Sequence, residues 1–68
     1  MALTIKKHYI VLNMNDKQMY LCEDTSFTND KRFALGINSQ SVAEIALDRI
    51  NEVRVREKLT PPCTVVYE

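Results

Sequence analysis

Glycine is nearly absent from this chain: Gly36 stands alone among 68 residues, and the prolines are limited to the pair Pro61-Pro62. Without a Gly-rich stretch there is no loop whose backbone could cradle a phosphate. So few breakers, and no biased run, also exclude a linker or a disordered tail. Neither sign of charge is in excess, since Lys plus Arg number 9 and Asp plus Glu number 9. Nucleic-acid binders draw most of their affinity from neutralising phosphates, so this balance disfavours that class. Nor is the chain acidic enough to imitate DNA. Tryptophan is missing, and no uninterrupted apolar run is longer than Tyr9 to Leu12, far too short to cross a bilayer. The opening residues, Met1 to His8, show no long apolar region after Lys6-Lys7, so no secretory signal is expected and the chain reads as cytoplasmic. Cys22 and Cys63 have no second Cys or His at metal spacing, so no metal is expected. They read as two reduced packing thiols, with a Cys22–Cys63 disulfide as the alternative.

What is present is enough for one small core. Apolar residues make up 46% of the composition, which fits a single domain spanning 1–68. A domain this short hides only about 60% of its unfolded surface, and its core rarely yields more than roughly 3–5 kcal/mol net. Little rigidity is left over for a buried catalytic constellation.

The first element is a hairpin. His8–Met14 and Gln18–Glu23 are rich in β-branched and aromatic residues, and Asn15-Asp16 suits a two-residue turn at positive φ. That register sets Leu12 opposite Met19, Ile10 opposite Leu21 and His8 opposite Glu23 on one face. Tyr9 opposite Cys22, Val11 opposite Tyr20 and Asn13 opposite Gln18 then share the other. Between Asp24 and Asn38 the pattern is irregular. Thr28 is a candidate cap for a helical turn over Lys31–Leu35 that Gly36 would end in a left-handed conformation. Phe27, Phe33 and Ile37 are its expected anchors.

A long helix follows. Ser41 and Glu44 fit a capping box, with Ser39 as an alternative cap. Val42, Ala43, Ile45, Ala46, Leu47, Ile50 and Val53 form one broad apolar stripe. Acidic residues gather towards its start and Arg54, Arg56 and Lys58 towards its end, as the macrodipole favours. Glu52 and Arg56 make an i,i+4 pair. Past Val53 the stripe fails, because Arg54 and Glu57 fall on the apolar side, so the helix is expected to fray or stop early. Pro61-Pro62 bars continuation, and Cys63–Tyr67 reads as a final strand. The fold class is therefore α+β: a two-layer ββ(α)αβ domain in which a three-stranded, antiparallel-type sheet carries one long helix on one face.

One helix covers one face of such a sheet. Ile10, Leu12, Met19 and Leu21 make the more apolar face and should meet it. The reverse face would then display Tyr9, Val11, Tyr20 and Cys22, with Ile5 and a residue of the last strand as further candidates, as a candidate protein-interaction surface. Ordinary solvent-facing β formers are the plainer reading of the same residues. The exposed edge strands offer a second route to partners, by strand addition.

Catalytic chemistry finds no support. The only histidine, His8, faces Glu23 in a cross-strand pair rather than an acid–base site, neither cysteine has a placed base, and no calcium-loop spacing exists. No enzyme activity, cofactor or small-molecule substrate is expected. Lys6-Lys7, Lys31-Arg32 and the Arg49, Arg54, Arg56, Lys58 group are diluted by acidic neighbours.

The layout resembles small accessory proteins of tailed bacteriophages and prophages. The matching residues are Phe27-Thr28-Asn29-Asp30, Ala34, Ile37, Ser39, Ala43 and Val65-Val66, over a span from about Tyr9 to Tyr67. Ile37 stands where an aromatic is commoner in that pattern. The resemblance implies a non-enzymatic protein, expressed in a bacterial host, that binds a host or phage protein; it carries over no functional residue. A small protein-binding module, with self-association as one form of it, is thus the expected function. The alternative is a nucleic-acid-binding accessory protein using the basic end of the long helix.

Overall fold

The computed structural model describes residues 6–68, so Ile5 lies outside the described residues. Strand β1 (His8–Met14) turns through Asn15 and Asp16 into β2 (Lys17–Leu21). Both turn residues sit at positive φ, 50° and 65°, as a two-residue turn matched to the sheet's twist requires. The resulting pairs, Val11 with Tyr20, Leu12 with Met19 and Asn13 with Gln18, are those the turn predicts.

Among the described residues the sheet has four strands, not three. Beyond β2 lies β3 (Phe27–Thr28), paired antiparallel through Leu21–Phe27 and Tyr20–Thr28. Two residues carry no periodicity, which is why the sequence pattern misses this strand. Its tight loop closes through Cys22 N–H to the Ser26 carbonyl at 2.8 Å. Asp24 accepts from Ser26 N–H, and Thr25 sits at φ 69°. The final strand, β4 (Thr64–Tyr67), pairs antiparallel with the opposite side of β1, giving the order β3-β2-β1-β4.

The His8–Glu23 pairing does not form. Glu23 leaves with the Cys22–Ser26 turn, and His8 exchanges backbone hydrogen bonds with Ile37 at 2.8 and 2.9 Å instead. The segment between is a 3₁₀ turn (Lys31–Phe33) capped by Asp30, whose carboxylate accepts the Arg32 N–H. Thr28 receives the Asp30 N–H rather than capping the turn itself. Gly36 does not adopt a left-handed conformation. It lies against the Lys7 side chain, where a Cβ would meet Lys7 Cδ at 2.5 Å. Phe27 and Ile37 pack as expected, but Phe33 is 66% exposed.

Helix α1 (Gln40–Arg56) is capped by Ser39, the alternative, and not by Ser41. Ser39 Oγ accepts the Val42 N–H, while Glu44 accepts from Gln40 one turn away and leaves the capping box unmade. The helix continues past Val53 because Arg54 belongs on the packed side. The residue is 9% exposed, and its guanidinium donates Nε and Nη2 to the Pro61 carbonyl at 3.2 and 2.9 Å. Lys58, at φ 61°, then ends the helix in a Schellman motif: Leu59 N–H reaches the Arg54 carbonyl and Lys58 N–H the Val55 carbonyl.

Ala43, Ala46, Leu47 and Ile50 recur at i,i+3,i+4,i+7 and seat the helix on Ile10, Leu12, Met19, Leu21 and Val65. This face of the sheet is the one the sequence assigns to the helix. The stripe is narrower than the apolar residues imply, because Val42, Ile45 and Val53 point outward and are largely exposed.

Candidate strand-docking site

Strand alternation puts Tyr9, Val11 and Tyr20 on one face, the reverse of the helix side, while Cys22 lies just past the end of β2 and does not pair with Tyr9 in the β1–β2 register. What that face displays differs. Val11 is 0% exposed, and Tyr9, Tyr20 and Cys22 are each half-buried. Val11 has Tyr20 and Thr64 directly opposite on its two neighbouring strands. The Tyr9 and Tyr20 rings meet edge-on at 5.7 Å on that same side. Both tyrosines are also engaged by charged residues of the chain. Tyr20 Oη donates to Glu68 Oε1 at 3.0 Å and accepts from Gln18 Nε2 at 3.1 Å. Lys31 Nζ stands over the Tyr9 ring at 5.1 Å and 3.6 Å from the same Glu68 oxygen. The protein's own residues thus use much of this surface.

The opposite situation holds at the edge of the sheet. Hydrogen-bonded pairs alternate in an antiparallel ladder, so every second residue of an edge strand aims its N–H and C=O outward. Lys7 and Glu68 exchange both backbone bonds, at 2.9 and 3.0 Å, which fixes the phase. Thr64 and Val66 therefore bond inward to β1. Val65 and Tyr67 face out, with no hydrogen-bond partner for their backbone among the described residues. Cys63 is the next outward position, and there the helix supplies a substitute. Asn51 Oδ1 accepts the Cys63 N–H, and Asn51 Nδ2 donates to the Cys63 carbonyl.

Beside this open edge lies an open cleft of about 590 Å³ between β4 and the N-terminal half of α1. Leu47 and Val65 line it, the rings of His8 and Tyr67, tilted at 34° with centroids 4.6 Å apart, form one wall, and Gln40 and Glu44 stand on the helix side. Tyr67 is 59% exposed. A larger open cleft, about 700 Å³, lies near Lys7, Cys22 and Phe33, away from the β4 edge. An apolar slot flanked by unpaired strand groups is suited to an extended chain, whose backbone completes the ladder while alternate side chains enter the slot.

Both cysteines are free thiols. Burial pushes the Cys63 thiol above its ordinary value, against a weaker opposing pull from the Arg54 charge. Hydrogen bonds from Ser26 hold Asp24 below the usual carboxylate range, and Arg32 does the same for Asp30. Among the described residues no group of three or more His, Cys, Asp or Glu could hold a metal ion, and no helix is long and apolar enough to cross a membrane.

Sequence reasoning named edge strands in general but not β4, because which strand lies at an edge follows from sheet order and not from composition. It also missed Asn51, whose role appears only when helix and strand are brought together. No protein-family model, no curated protein and no solved structure matches this chain.

Proposed function

We propose that this chain is a small, non-enzymatic protein-binding module that accepts an extended segment along the outer edge of β4. The observation that carries this reading is the unpartnered backbone of Val65 and Tyr67 beside the Leu47–Val65 cleft. Main-chain pairing would supply affinity and the cleft would select side chains. The layout resemblance makes a host or phage protein the expected partner. The reverse face, with Tyr9, Val11, Tyr20 and Cys22, is the competing surface. It is disfavoured because Val11 is buried and both tyrosines already have partners within the chain. The nucleic-acid alternative loses ground on similar terms, since Arg54 is spent on Pro61 and Arg56 on Glu52.

The test turns on one outward N–H. Tyr67→Pro removes it without touching the inward ladder, whereas Tyr67→Thr shortens the side chain and keeps it. In affinity capture from bacterial lysate, a stoichiometric protein partner should be retained by wild type and Tyr67→Thr and lost by Tyr67→Pro. Loss with Tyr20→Lys but not with Tyr67→Pro would move the site to the reverse face. Binding to DNA or RNA that weakens steeply with salt would replace the proposal with the nucleic-acid reading.

A further inference from the structure

Resting on the β4-edge reading, we infer that the segment it accepts carries a Lys or Arg two residues from an aliphatic residue. The relation of helix to strand sets this pattern. Asn51 bonds Cys63, while Gln40 and Glu44 flank the cleft that contains Tyr67, so α1 runs antiparallel to β4. One helical turn rises about 5.4 Å and two strand residues span about 6.6 Å, so successive turns of the helix stand over successive outward positions of the strand. Asn51 serves Cys63, Leu47 stands over Val65, and Glu44 stands over Tyr67.

An added strand would place one residue opposite Val65 and another, two positions away, opposite Tyr67. Both side chains would fall on the helix side of the sheet. The first would meet Leu47 and Val65, which selects an aliphatic residue. The second would meet Glu44, whose carboxylate accepts only from Gln40, at 3.3 Å, and has no cationic partner among the described residues. Asp48, one turn on, is likewise outside any ion pair among them. A basic side chain is the complement of those carboxylates, and it would share the Tyr67 ring with Lys6, whose Nζ stands 5.8 Å from the ring centroid.

The same carboxylates argue against a second copy of this chain as the occupant. Pairing β4 with β4 about a two-fold at Val66 would set Tyr67 opposite Val65 of the second copy, so each Glu44 would meet the second copy's Leu47 and Val65 and gain no cationic partner there. Asn51 also limits the length of the pairing, because it already occupies the Cys63 position. The contact is therefore confined to the groups of Val65 and Tyr67, and side-chain selection has to carry specificity.

The probes are end-capped seven-residue peptides of threonine, with lysine and valine two positions apart in either order, titrated into ¹⁵N-labelled protein. A matched set carries glutamate in place of lysine. The amides of Val65 and Tyr67 should shift, and the better lysine peptide should bind at least about fivefold tighter than its glutamate counterpart at low salt, with the gap narrowing as salt is raised. Glu44→Lys should reverse the preference. If Val65 and Tyr67 respond but lysine and glutamate peptides bind equally, the basic requirement is wrong and the edge reading survives. If no peptide moves those two amides, the edge reading itself fails. A concentration-dependent dimer that shields both amides would make a second copy the occupant and overturn the inference.

Discussion

Asn51 completes the sheet from the helix: its Oδ1 accepts the Cys63 N–H at 2.8 Å and its Nδ2 donates to the Cys63 carbonyl at 3.1 Å. A carboxamide offers one donor and one acceptor at the spacing of a peptide group, so it can imitate a neighbouring strand residue. Cys63 is 3% exposed, and water cannot easily replace the lost partner. Asn51→Ala should therefore cost about 2 kcal/mol, since two buried backbone groups are left unpaired. Urea unfolding would measure it, and a cost below about 0.5 kcal/mol would mean that the clamp is not formed in solution.

Besides the Asn15-Asp16 hairpin, two turns hold non-glycine residues in the left-handed region. Thr25, at φ 69°, closes the β2–β3 loop, and Lys58, at φ 61°, ends α1. A Cβ is disfavoured there by roughly 1–2 kcal/mol, and glycine recovers part of that after the entropy it brings to the unfolded chain. Thr25→Gly and Lys58→Gly should each stabilise the fold by about 0.5–1 kcal/mol, visible as a Tm higher by a few degrees. Equal or lower Tm values for both would contradict the turn assignments.

Val11 decides whether the reverse face is a display surface or part of the core. Because it is fully buried beside Tyr20 and Thr64, Val11→Ala should cost about 2 kcal/mol in urea or thermal unfolding. An exposed recognition residue would leave stability nearly unchanged.

How far the fold was legible depends on the range of each signal. The β1–β2 register follows from two adjacent residues, Asn15 and Asp16, and the helix-facing set Ile10, Leu12, Met19 and Leu21 follows from alternation, so both were accessible locally. The apolar stripe in the sequence is wider than the packed face because Val42, Ile45 and Val53 are apolar by type yet exposed. Which of the apolar residues meet the sheet depends on helix rotation, and that is set by Ala43 and Ala46, whose small side chains permit close approach. Arg54 looked like the end of the helix because its partner, the Pro61 carbonyl, lies beyond a turn that composition does not describe. The candidate site was least legible of all. Tyr9 and Tyr20 are aromatic on an uncovered face, yet the covering groups Lys31 and Glu68 come from distant segments.

The two thiols should differ in reactivity and in their effect on pH stability. Cys63 is buried with a raised pKa, while Cys22 is half-buried. A thiol reagent should modify Cys22 first and leave Cys63 until the chain opens. Cys63 ionises more readily when unfolded, so the folded state binds more protons above about pH 8.5 and stability falls as pH rises through that range. The alkaline loss should vanish in Cys63→Ala relative to that variant's own neutral-pH stability. At the acid end, Asp24 and Asp30 have lowered pKa values in the folded chain. Their contribution is present above the ordinary carboxylate pKa of about 4 and is lost as pH falls below it.

The open edge of β4 can be tested without any ligand, by amide hydrogen exchange along the strand. Val66, bonded inward to β1, should be protected, while Val65 and Tyr67 on either side of it exchange at rates close to those of an unstructured peptide. Protection of Val65 and Tyr67 equal to that of Val66 would show that their outward groups are already paired, and the docking edge would not exist.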